Sequence, residues 1–466
     1  MLKTLNRYFS RYQALRLPAC IGAEFLLISG TIIATTLPLF SHHDLMTGQI
    51  VSCVSQAFLT ACICQICMYY VDLYNLDISW NMKRLFARIV FSMISSAAIL
   101  YLVLHFILQS RFDYRLLYGF VAISILVIAW RLIFFSYQNE VFKTNILIFG
   151  TDEEAKRLAR EILCRKHLGY EIKGFVGPNP PSYGMSIENL HMLGTAEDLQ
   201  TIVQRESIDK VVVALLDRRG KLPMETLLTC KLQGVEVEEG ITFYEQISGK
   251  IALEHLRPSW IVFSQDFTIS PLVLLLKRLL DISLAVIGLV LATPVMMIIP
   301  LLIKLDSKGP VFYSQTRVGQ NGEEFILRKF RSMCADAEAH TGPVFAGADD
   351  DRITRVGRWL RTMRLDELPQ LFNVLAGEMS FVGPRPERPF FVESLKKQIP
   401  YYIQRHSVKP GITGWAQVNY PYGATTEDAM EKLQLDLYYI KHMSLSLDLL
   451  IVLKTLKTAV CGEGAR

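Results

Sequence analysis

Several features that often identify a protein are weak or missing in this sequence of 466 residues. The net charge is only +5, which gives no argument for nucleic-acid binding, although a slight basic excess suits an anionic membrane or anionic substrates. The nine cysteines show no spacing typical of a secreted disulfide framework. Cys62, Cys64 and Cys67 are close enough in sequence to suggest a metal site, but small residues in a membrane helix explain them more simply.

Apolar residues, by contrast, are abundant. They make up 51% of the chain, and the mean hydropathy of +0.27 is high for a soluble protein. Charged residues still make up 20%, which is too many for a chain that lies in a membrane throughout. A chain of this length is expected to form two or three domains. The composition therefore predicts a membrane part joined to a water-facing part.

The first part of the chain contains four apolar stretches, each close to the ~20 residues needed to cross a bilayer. They lie at 21–40, 50–71, 86–108 and 116–136. Basic residues precede the first stretch and occupy the second loop, whereas the first loop has none, which places the N-terminus and the segment after 140 in the cytoplasm. Arg111 and Arg115 in the third loop are the exception. We expect a four-helix transmembrane region at 1–140.

Strand and helix patterns alternate between residues 141 and 265, as is typical of a parallel α/β sheet. The first turn, GTDEEA at 150–155, lacks the three-glycine dinucleotide fingerprint. It also puts two acids where a pyrophosphate would lie, at the start of a helix. A Rossmann-like domain with a structural, regulatory or oligomerising role is therefore favoured over one that binds NAD.

A further apolar segment, at about 272–303, opens the last region of the chain, and it has no charge after Ile282. Basic residues precede this uncharged run and follow it, so both of its ends are predicted to be cytoplasmic. Pro294 removes a backbone hydrogen bond near the middle and bends a helix. A re-entrant helix broken at Thr293 and Pro294 fits both observations, and a fifth straight span is the alternative.

Two adjacent acids, Asp366 and Glu367, stand just before the helix start Leu368–Leu371. In the simpler interpretation Asp366 caps this helix and Glu367 favours its dipole. In the functional interpretation an ionised aspartate attacks a phosphoryl centre, and its neighbour holds Mg²⁺ on a diphosphate. The two interpretations use the same geometry, so the local sequence leaves both open.

Basic residues flank these acids on both sides. Five arginines recur every three residues before them, so that neighbours can pair on a phosphate or along a headgroup layer, or can form a solvated basic face. They are Arg352, Arg355, Arg358, Arg361 and Arg364. The loop GPRPERP at 383–389 follows, and its prolines are expected to hold Arg385 and Arg388 in place, unless it is simply a proline-rich surface loop.

Three stretches of the last region are recognisable: GPVFYSQTRVGQNGEEFILRKFRSM, RLDELPQLFNVLAGEMSFVGPRPERPFFV and VKPGITGWAQVNYPYG. They resemble the bacterial sugar transferases that start exopolysaccharide repeat units, which are polyprenyl-phosphate hexose-1-phosphate transferases of the monotopic phosphoglycosyl type. The whole chain looks like their long form, with four N-terminal helices, a Rossmann-like domain and a mixed α/β catalytic domain at 270–466. It is most similar to the branch associated with PEP-CTERM exopolysaccharide systems.

The resemblance implies a role for particular residues. Asp366 would be the nucleophile and Glu367 the Mg²⁺ ligand, and the helix would break at Thr293 and Pro294, where threonine replaces the family's usual serine. The loop residues Pro384, Arg385 and Pro386 would lie near uridine. The candidates for phosphate binding are Lys329, Arg331, Arg352 and Arg355.

The implied reaction moves a hexose-1-phosphate, of glucose or galactose, from a UDP-sugar to undecaprenyl phosphate with release of UMP. It would take place on the cytoplasmic face of a bacterial inner membrane, in a multi-pass protein that contacts lipid and is compatible with a homodimer, without nucleic acid. A membrane glycosyltransferase that releases UDP is one alternative, and a non-catalytic membrane regulator or scaffold is the other. The sequence does not name the sugar or a ligand of the middle domain.

Overall fold

The computed structural model divides the chain into two compact units, Met1–Phe243 and Tyr244–Arg466. It describes residues 13–36, 47–71, 73–74, 82–103, 119–131, 143–165, 168–177, 186–187, 190–215, 222–253, 270–334, 350–421, 423 and 425–461. The predicted first loop and the third loop, with Arg111 and Arg115, lie almost wholly outside these ranges.

The N-terminal region is helical, as the apolar stretches predict. Its helices are α1 (Gln13–Thr36), α2 (Thr47–Tyr70), α3 (Met82–Leu102) and α4 (Gly119–Arg131). Within the described residues, the parts of this region long and apolar enough to cross a membrane are Cys53–Tyr70 and Leu85–Leu102. Cys64 is fully buried in the apolar core of these helices, and no group of three or more metal-ligating side chains lies within the described ranges.

A buried ion pair links the first and last of these helices. The Nε of Arg131 lies 2.6 Å from Oε1 of Glu24, which is completely buried. Tyr74 donates a hydrogen bond to the same carboxylate at 2.9 Å, and Arg131 donates to the carbonyl oxygen of Leu73 at 2.8 Å. The two charges compensate one another and favour this pairing of helices.

The middle of the chain forms the predicted parallel α/β sheet. Its strands are β1 (Thr144–Phe149), β2 (Tyr170–Gly177), β3 (Ser186–Ile187), β4 (Leu190–Thr195), β5 (Lys210–Val213) and β6 (Glu236–Glu239). The spatial order is β3-β4-β2-β1-β5-β6, and only the β3–β4 pair is antiparallel. The central strands are buried runs of aliphatic residues, since helices cover parallel sheets on both faces. The helices of this part are α5 (Glu153–Cys164), α6 (Leu199–Arg205), α7 (Met224–Leu232) and α8 (Gly240–Ser248).

Glycine is required at position 150, in the turn between β1 and α5. Its φ is +140°, and a Cβ there would lie 1.9 Å from the carbonyl oxygen of Ala214. The turn is therefore tight because the β1 and β5 ends approach closely. Glu153 and Glu154 occupy the first turn of α5, as the sequence indicates.

The second unit is built on the long helix α9 (Pro271–Asp306). Two strand pairs follow, the antiparallel hairpin β7 (Phe312–Val318) with β8 (Glu324–Phe330), and the parallel pair β9 (Ser380–Val382) with β10 (Gly411–Thr413). The remaining helices are α10 (Arg355–Thr362), α11 (Gln370–Ala376), α12 (Pro389–Gln398), α13 (Trp415–Asn419), α14 (Thr426–Lys441) and α15 (Leu445–Cys461).

Helix α9 is not interrupted at the predicted break. It remains helical through Thr293 and Pro294, and the hydroxyl of Thr293 donates to the carbonyl oxygen of Leu289 at 2.7 Å. Proline removes only its own hydrogen bond, so the flanking turns continue the helix. The helix is long and apolar enough to cross a membrane, and little of its apolar part is buried by protein.

Both ends of α9 pack against the same unit. Near its start, Lys277 donates to the carbonyl oxygen of Val382 at 2.9 Å, and Asp281 accepts from the hydroxyl of Ser380 at 2.8 Å. Near its end, Ile303 lies in an apolar cluster with Phe330 and Leu360, and the carboxylate of Asp306 accepts from the backbone of Val356 at 3.0 Å. One folded unit therefore holds α9 on either side of its exposed middle.

Candidate active site

The two adjacent acids lie on a single 3₁₀ turn, Leu365–Glu367, between α10 and α11. Arg364 enters this turn with a left-handed backbone, at φ 54°. Helix α11 begins at Gln370, and Pro369 takes the N-cap position because its fixed φ of −63° already suits a helix. Asp366 therefore lies three residues before the cap, and the simpler interpretation of it as the capping residue is wrong.

The two carboxyl groups have opposite environments. Asp366 is 8% exposed; burial raises its pKa above the ordinary value, and the nearby Lys329 opposes that rise. Glu367 accepts hydrogen bonds from Lys329 Nζ at 2.8 Å and from Arg385 Nη2 at 3.0 Å. Burial alone would raise the pKa of Glu367, but these two cations outweigh it and hold the pKa well below its usual range. The turn thus places an ionised acid beside one that is costly to ionise.

A small cleft opens beside Glu367. It is lined by Arg317, Leu327, Lys329, Glu367, Gln370, Arg385, Pro386 and Gly411. Lys329 comes from β8, and Arg385 comes from the proline-rich loop after β9. The structure therefore brings together the predicted residues Glu367, Lys329, Arg385 and Pro386.

The proline-rich loop is fastened to its surroundings by backbone contacts. Gly383 donates to the carbonyl oxygen of Thr413 at 2.8 Å, and Gly411 donates to that of Pro384 at 2.9 Å. A Cβ on Gly411 would lie 2.1 Å from the backbone nitrogen of Gly383, so only glycine allows the two segments to approach this closely. Pro384 is buried, and its carbonyl oxygen takes part in this contact.

Three predicted phosphate ligands do not line the cleft. Arg331 is buried and donates to the carbonyl oxygens of Ser307 and Lys308, at 2.8 and 3.0 Å, beyond the end of α9. Arg352 donates to the carboxylate of Asp350 at 2.8 Å, and Arg355 is exposed at the start of α10. Their part in phosphate binding stays a prediction.

Sequence reasoning missed two contributors to the site. Arg317 lies in the recognised stretch around β7 but was not singled out. Arg405 is buried, pairs with Asp436 at 2.8 Å, and donates to the carbonyl oxygen of Arg385 at 3.1 Å. A charged residue inside the apolar run of α14 was the available signal for Asp436, because a buried charge requires a partner.

The second unit combines a long apolar helix with a cleft lined by three cations and Glu367, and the buried Asp366 is next to Glu367 in sequence but does not line the cleft. These features are typical of a membrane-associated domain with a site for an anionic ligand. Residues 272–462 match the family model of bacterial sugar transferases, and residues 70–221 match that of a CoA-binding domain. The chain belongs to the bacterial sugar transferase family, in a long form that carries the second domain. The family resemblance is thus confirmed, whereas the PEP-CTERM branch stays a prediction.

Three relatives indicate the range of the family. The chain is 45% identical over 240 residues to the UDP-N-acetylgalactosamine-undecaprenyl-phosphate N-acetylgalactosaminephosphotransferase of Aeromonas hydrophila, covering 52% of this chain and 56% of that protein. It is 34% identical over 329 residues to the undecaprenyl-phosphate glucose phosphotransferase of Komagataeibacter xylinus, covering 69% of this chain and 60% of that protein. It is 45% identical over 328 residues to the UDP-glucose:undecaprenyl-phosphate glucose-1-phosphate transferase of Escherichia coli (strain K12), covering 69% of each. The chain thus spans 56% and 60% of the length of the first two.

Proposed function

We propose that this protein transfers a sugar 1-phosphate from a UDP-sugar to undecaprenyl phosphate, releases UMP, and so starts a polysaccharide repeat unit. The observation that carries the proposal is the cleft in which Lys329 and Arg385 hold Glu367 beside the buried Asp366. The names of all three relatives contain undecaprenyl phosphate and a phosphotransferase or sugar-phosphate transferase activity. Glucose, galactose and N-acetylgalactosamine are the sugars to test.

The reaction is a double displacement at one phosphorus. A carboxylate oxygen of Asp366 forms a bond to the β-phosphorus of the donor, and the bond from that phosphorus to the bridging oxygen breaks, so that UMP leaves with the electron pair. A phosphate oxygen of the lipid then attacks the same phosphorus and releases the carboxylate. In this mechanism Lys329 and Arg385 neutralise charge on the donor phosphates.

The residues present fit a magnesium ion. Within the described residues, Glu367 accepts hydrogen bonds through Oε1 from both cations, which leaves its second oxygen available as a hard anionic ligand. Mg²⁺ in proteins is commonly held by one or two carboxylates together with substrate phosphates, so the lack of a larger ligand cluster is compatible with it. Glu367, with the donor diphosphate, would hold the ion, and the ion would supply charge neutralisation for the leaving phosphate.

The same proposal places the site on the cytoplasmic face of the inner membrane, with α9 as a re-entrant helix. A straight helix of 36 residues is about 54 Å long, more than the ~30 Å of a hydrocarbon core. If it crossed the bilayer, its two ends would lie on opposite faces, yet Lys277 and Asp306 both bind the same folded unit. Entry and return on one side require α9 to bend within the membrane, which Pro294 can allow although the helix continues through it. This arrangement agrees with the packing of both ends and with the cytoplasmic location of nucleotide sugars.

The deciding experiment is nucleotide release by the purified, detergent-solubilised full chain. It is given Mg²⁺, undecaprenyl phosphate and, in separate reactions, UDP-glucose, UDP-galactose and UDP-N-acetylgalactosamine. We expect UMP with at least one donor, and a phospho-sugar adduct on the intact protein detectable by mass spectrometry when acceptor is omitted. Asp366→Asn should abolish both signals, whereas Asp351→Asn, at an exposed position, should leave them unchanged.

Other outcomes would decide against this mechanism. UDP as the product would indicate a glycosyltransferase that moves the sugar alone. Full activity of Asp366→Asn would exclude Asp366 as the nucleophile. The absence of turnover with any donor would favour a membrane regulator or scaffold. A homodimer, compatible with the long form, is a separate prediction that molecular mass in detergent would test.

A further inference from the structure

Arg317 is a cationic lining residue of the cleft that no motif reasoning assigned. It lies on β7, where it stands opposite Phe325 of β8, and Tyr313 stands opposite Lys329 in the same register. Side chains two residues apart on a strand share a face, and so do directly opposed residues of an antiparallel pair. Arg317 and Lys329 therefore project from the same face of the hairpin, towards the cleft.

The charge of the cleft lining is unbalanced. Of the described residues that line it, Arg317, Lys329 and Arg385 are cations, and Glu367 is the single carboxylate. Lys329 and Arg385 share that carboxylate, so it does not neutralise Arg317 as well. Counted over the lining residues alone, the net charge is +2, and Glu387, an ion-pair partner of Arg317 at 3.7 Å that lies outside the lining, offsets part of it. The remaining positive charge suits an anionic group such as the diphosphate of a nucleotide sugar or the phosphate of a nucleoside monophosphate.

The guanidinium of Arg317 is held in place largely by neutral oxygens. It donates to the carbonyl oxygen of Pro386 at 3.0 Å and to the side-chain oxygen of Gln315 at 2.7 Å. Its nearest acid, Glu387, is 3.7 Å away, beyond hydrogen-bond distance, and its buried Nε has no hydrogen-bond partner among the described residues. Burial lowers the pKa of Arg317, and Glu387 only partly opposes that. A charge that is fixed, partly desolvated and incompletely neutralised favours an anionic ligand.

We infer that Arg317 binds the phosphate attached to the nucleoside of the donor, which is the phosphate that leaves as UMP. This inference rests on the proposed function and deepens it by adding a binding residue. The assignment to the nucleoside side follows from the hydrogen bond that Arg317 donates to the carbonyl oxygen of Pro386, because the family resemblance implies that this loop lies near uridine. Lys329, by contrast, donates a hydrogen bond to Glu367, which is next to the proposed nucleophile Asp366 in sequence.

The test compares ligands that differ by one phosphate. Inhibition constants for UMP and for uridine against the UDP-sugar are measured on the full chain in detergent, for the wild type, Arg317→Gln and Arg317→Lys. The control is Arg328→Gln, an arginine on the exposed face of β8. We expect Arg317→Gln to raise the inhibition constant for UMP by about tenfold or more, as for loss of a charge-assisted hydrogen bond. The inhibition constant for uridine should rise by less than twofold. Arg317→Lys should fall between the wild type and Arg317→Gln, and Arg328→Gln should match the wild type.

Two results would overturn the inference. If Arg317→Gln weakens uridine and UMP by the same factor, the arginine only shapes the loop through Pro386. If neither constant changes, it makes no contact with the nucleotide. Both results leave UMP release by the wild type intact, so they are distinct from failure of the proposed function, in which the wild type itself releases no UMP.

Discussion

The buried pair between Lys277 and Asp448 gives a quantitative test of how α9 is attached. Lys277 Nζ lies 2.8 Å from Asp448 Oδ2, and Asp448 is only 1% exposed. Breaking a buried pair by removing one partner costs about 3–5 kcal/mol, because an uncompensated charge stays behind. We expect Lys277→Met to destabilise the second unit by that amount, which corresponds to a fall in melting temperature on the order of 10 °C for a unit of this size.

The surrounding contacts predict an order among the variants. After Asp448→Leu, Lys277 keeps the carbonyl oxygen of Val382 and still faces Asp281 at 4.0 Å, so this change should cost less than Lys277→Met. In the double variant no unpaired charge remains from the pair, and Tyr439 keeps the carbonyl oxygen of Val382 at 3.2 Å as its acceptor. An apolar pair often replaces a buried ion pair without loss of stability. The free energy of unfolding of the double variant should therefore lie within about 1 kcal/mol of that of the wild type.

The assay is thermal unfolding of the detergent-solubilised full chain, followed by tryptophan fluorescence. Lys304→Met serves as the control, since Lys304 is exposed and, among the described residues, donates to the nearby backbone carbonyl of Gly309. A double variant that melts as low as Lys277→Met, or lower, would refute the reasoning. It would mean that the two side chains contribute independently and that the buried charges do not compensate one another.

Two further predictions concern single positions. Burial and the neighbouring Arg405 lower the pKa of His406 from 6.5 to about 4. Between these pH values the unfolded chain therefore binds more protons than the folded chain. The free energy of unfolding then falls as the pH drops from 6.5 to 4, by at most about 3 kcal/mol. His406→Gln should flatten the dependence of melting temperature on pH in that window, and an unchanged slope would contradict the assignment. Gly411→Ala should push β10 away from the Gly383 segment and lower the rate of UMP release more than tenfold. Gly30→Ala is the control and should retain activity, because a Cβ at that position meets open space. A fully active Gly411→Ala would show that the loop tolerates the displacement.

The parts of the fold that the sequence predicted are those set by local pattern. The apolar N-terminal stretches and the aliphatic strands of the sheet are each recognisable from the composition or periodicity of a short segment of sequence. The position of Glu367 beside Lys329 and Arg385 depended on the family motif, because these residues come from three separate segments. Arg317 could be placed beside Lys329 only through the register of the β7–β8 hairpin, which no short motif encodes.

Other predictions used the right residues for an incomplete reason. Lys277 and Arg278 are the basic residues that precede the uncharged run, and the sequence alone explains them as charges at a membrane edge. In the structure Lys277 is buried against Asp448, and Arg278 donates to the carbonyl oxygens of Val374 and Leu375 at the end of α11. Flanking charge and tertiary contact are compatible, since both keep this end of α9 on the side of the folded unit. Only the second, however, explains why Lys277 is buried.

The environments of the two acids also indicate which of them acts as the nucleophile in the proposed reaction. A carboxylate that accepts hydrogen bonds from two cations is stabilised in its charged form and is therefore a weak base and a poor nucleophile. Glu367 is in that state, held by Lys329 and Arg385. Asp366 is buried, and its charged form is destabilised relative to water, which raises both its pKa and its reactivity once ionised. In the proposed reaction, β8 and the proline-rich loop therefore favour Asp366 for attack and Glu367 for holding charge, because the cations they supply are hydrogen-bonded to Glu367.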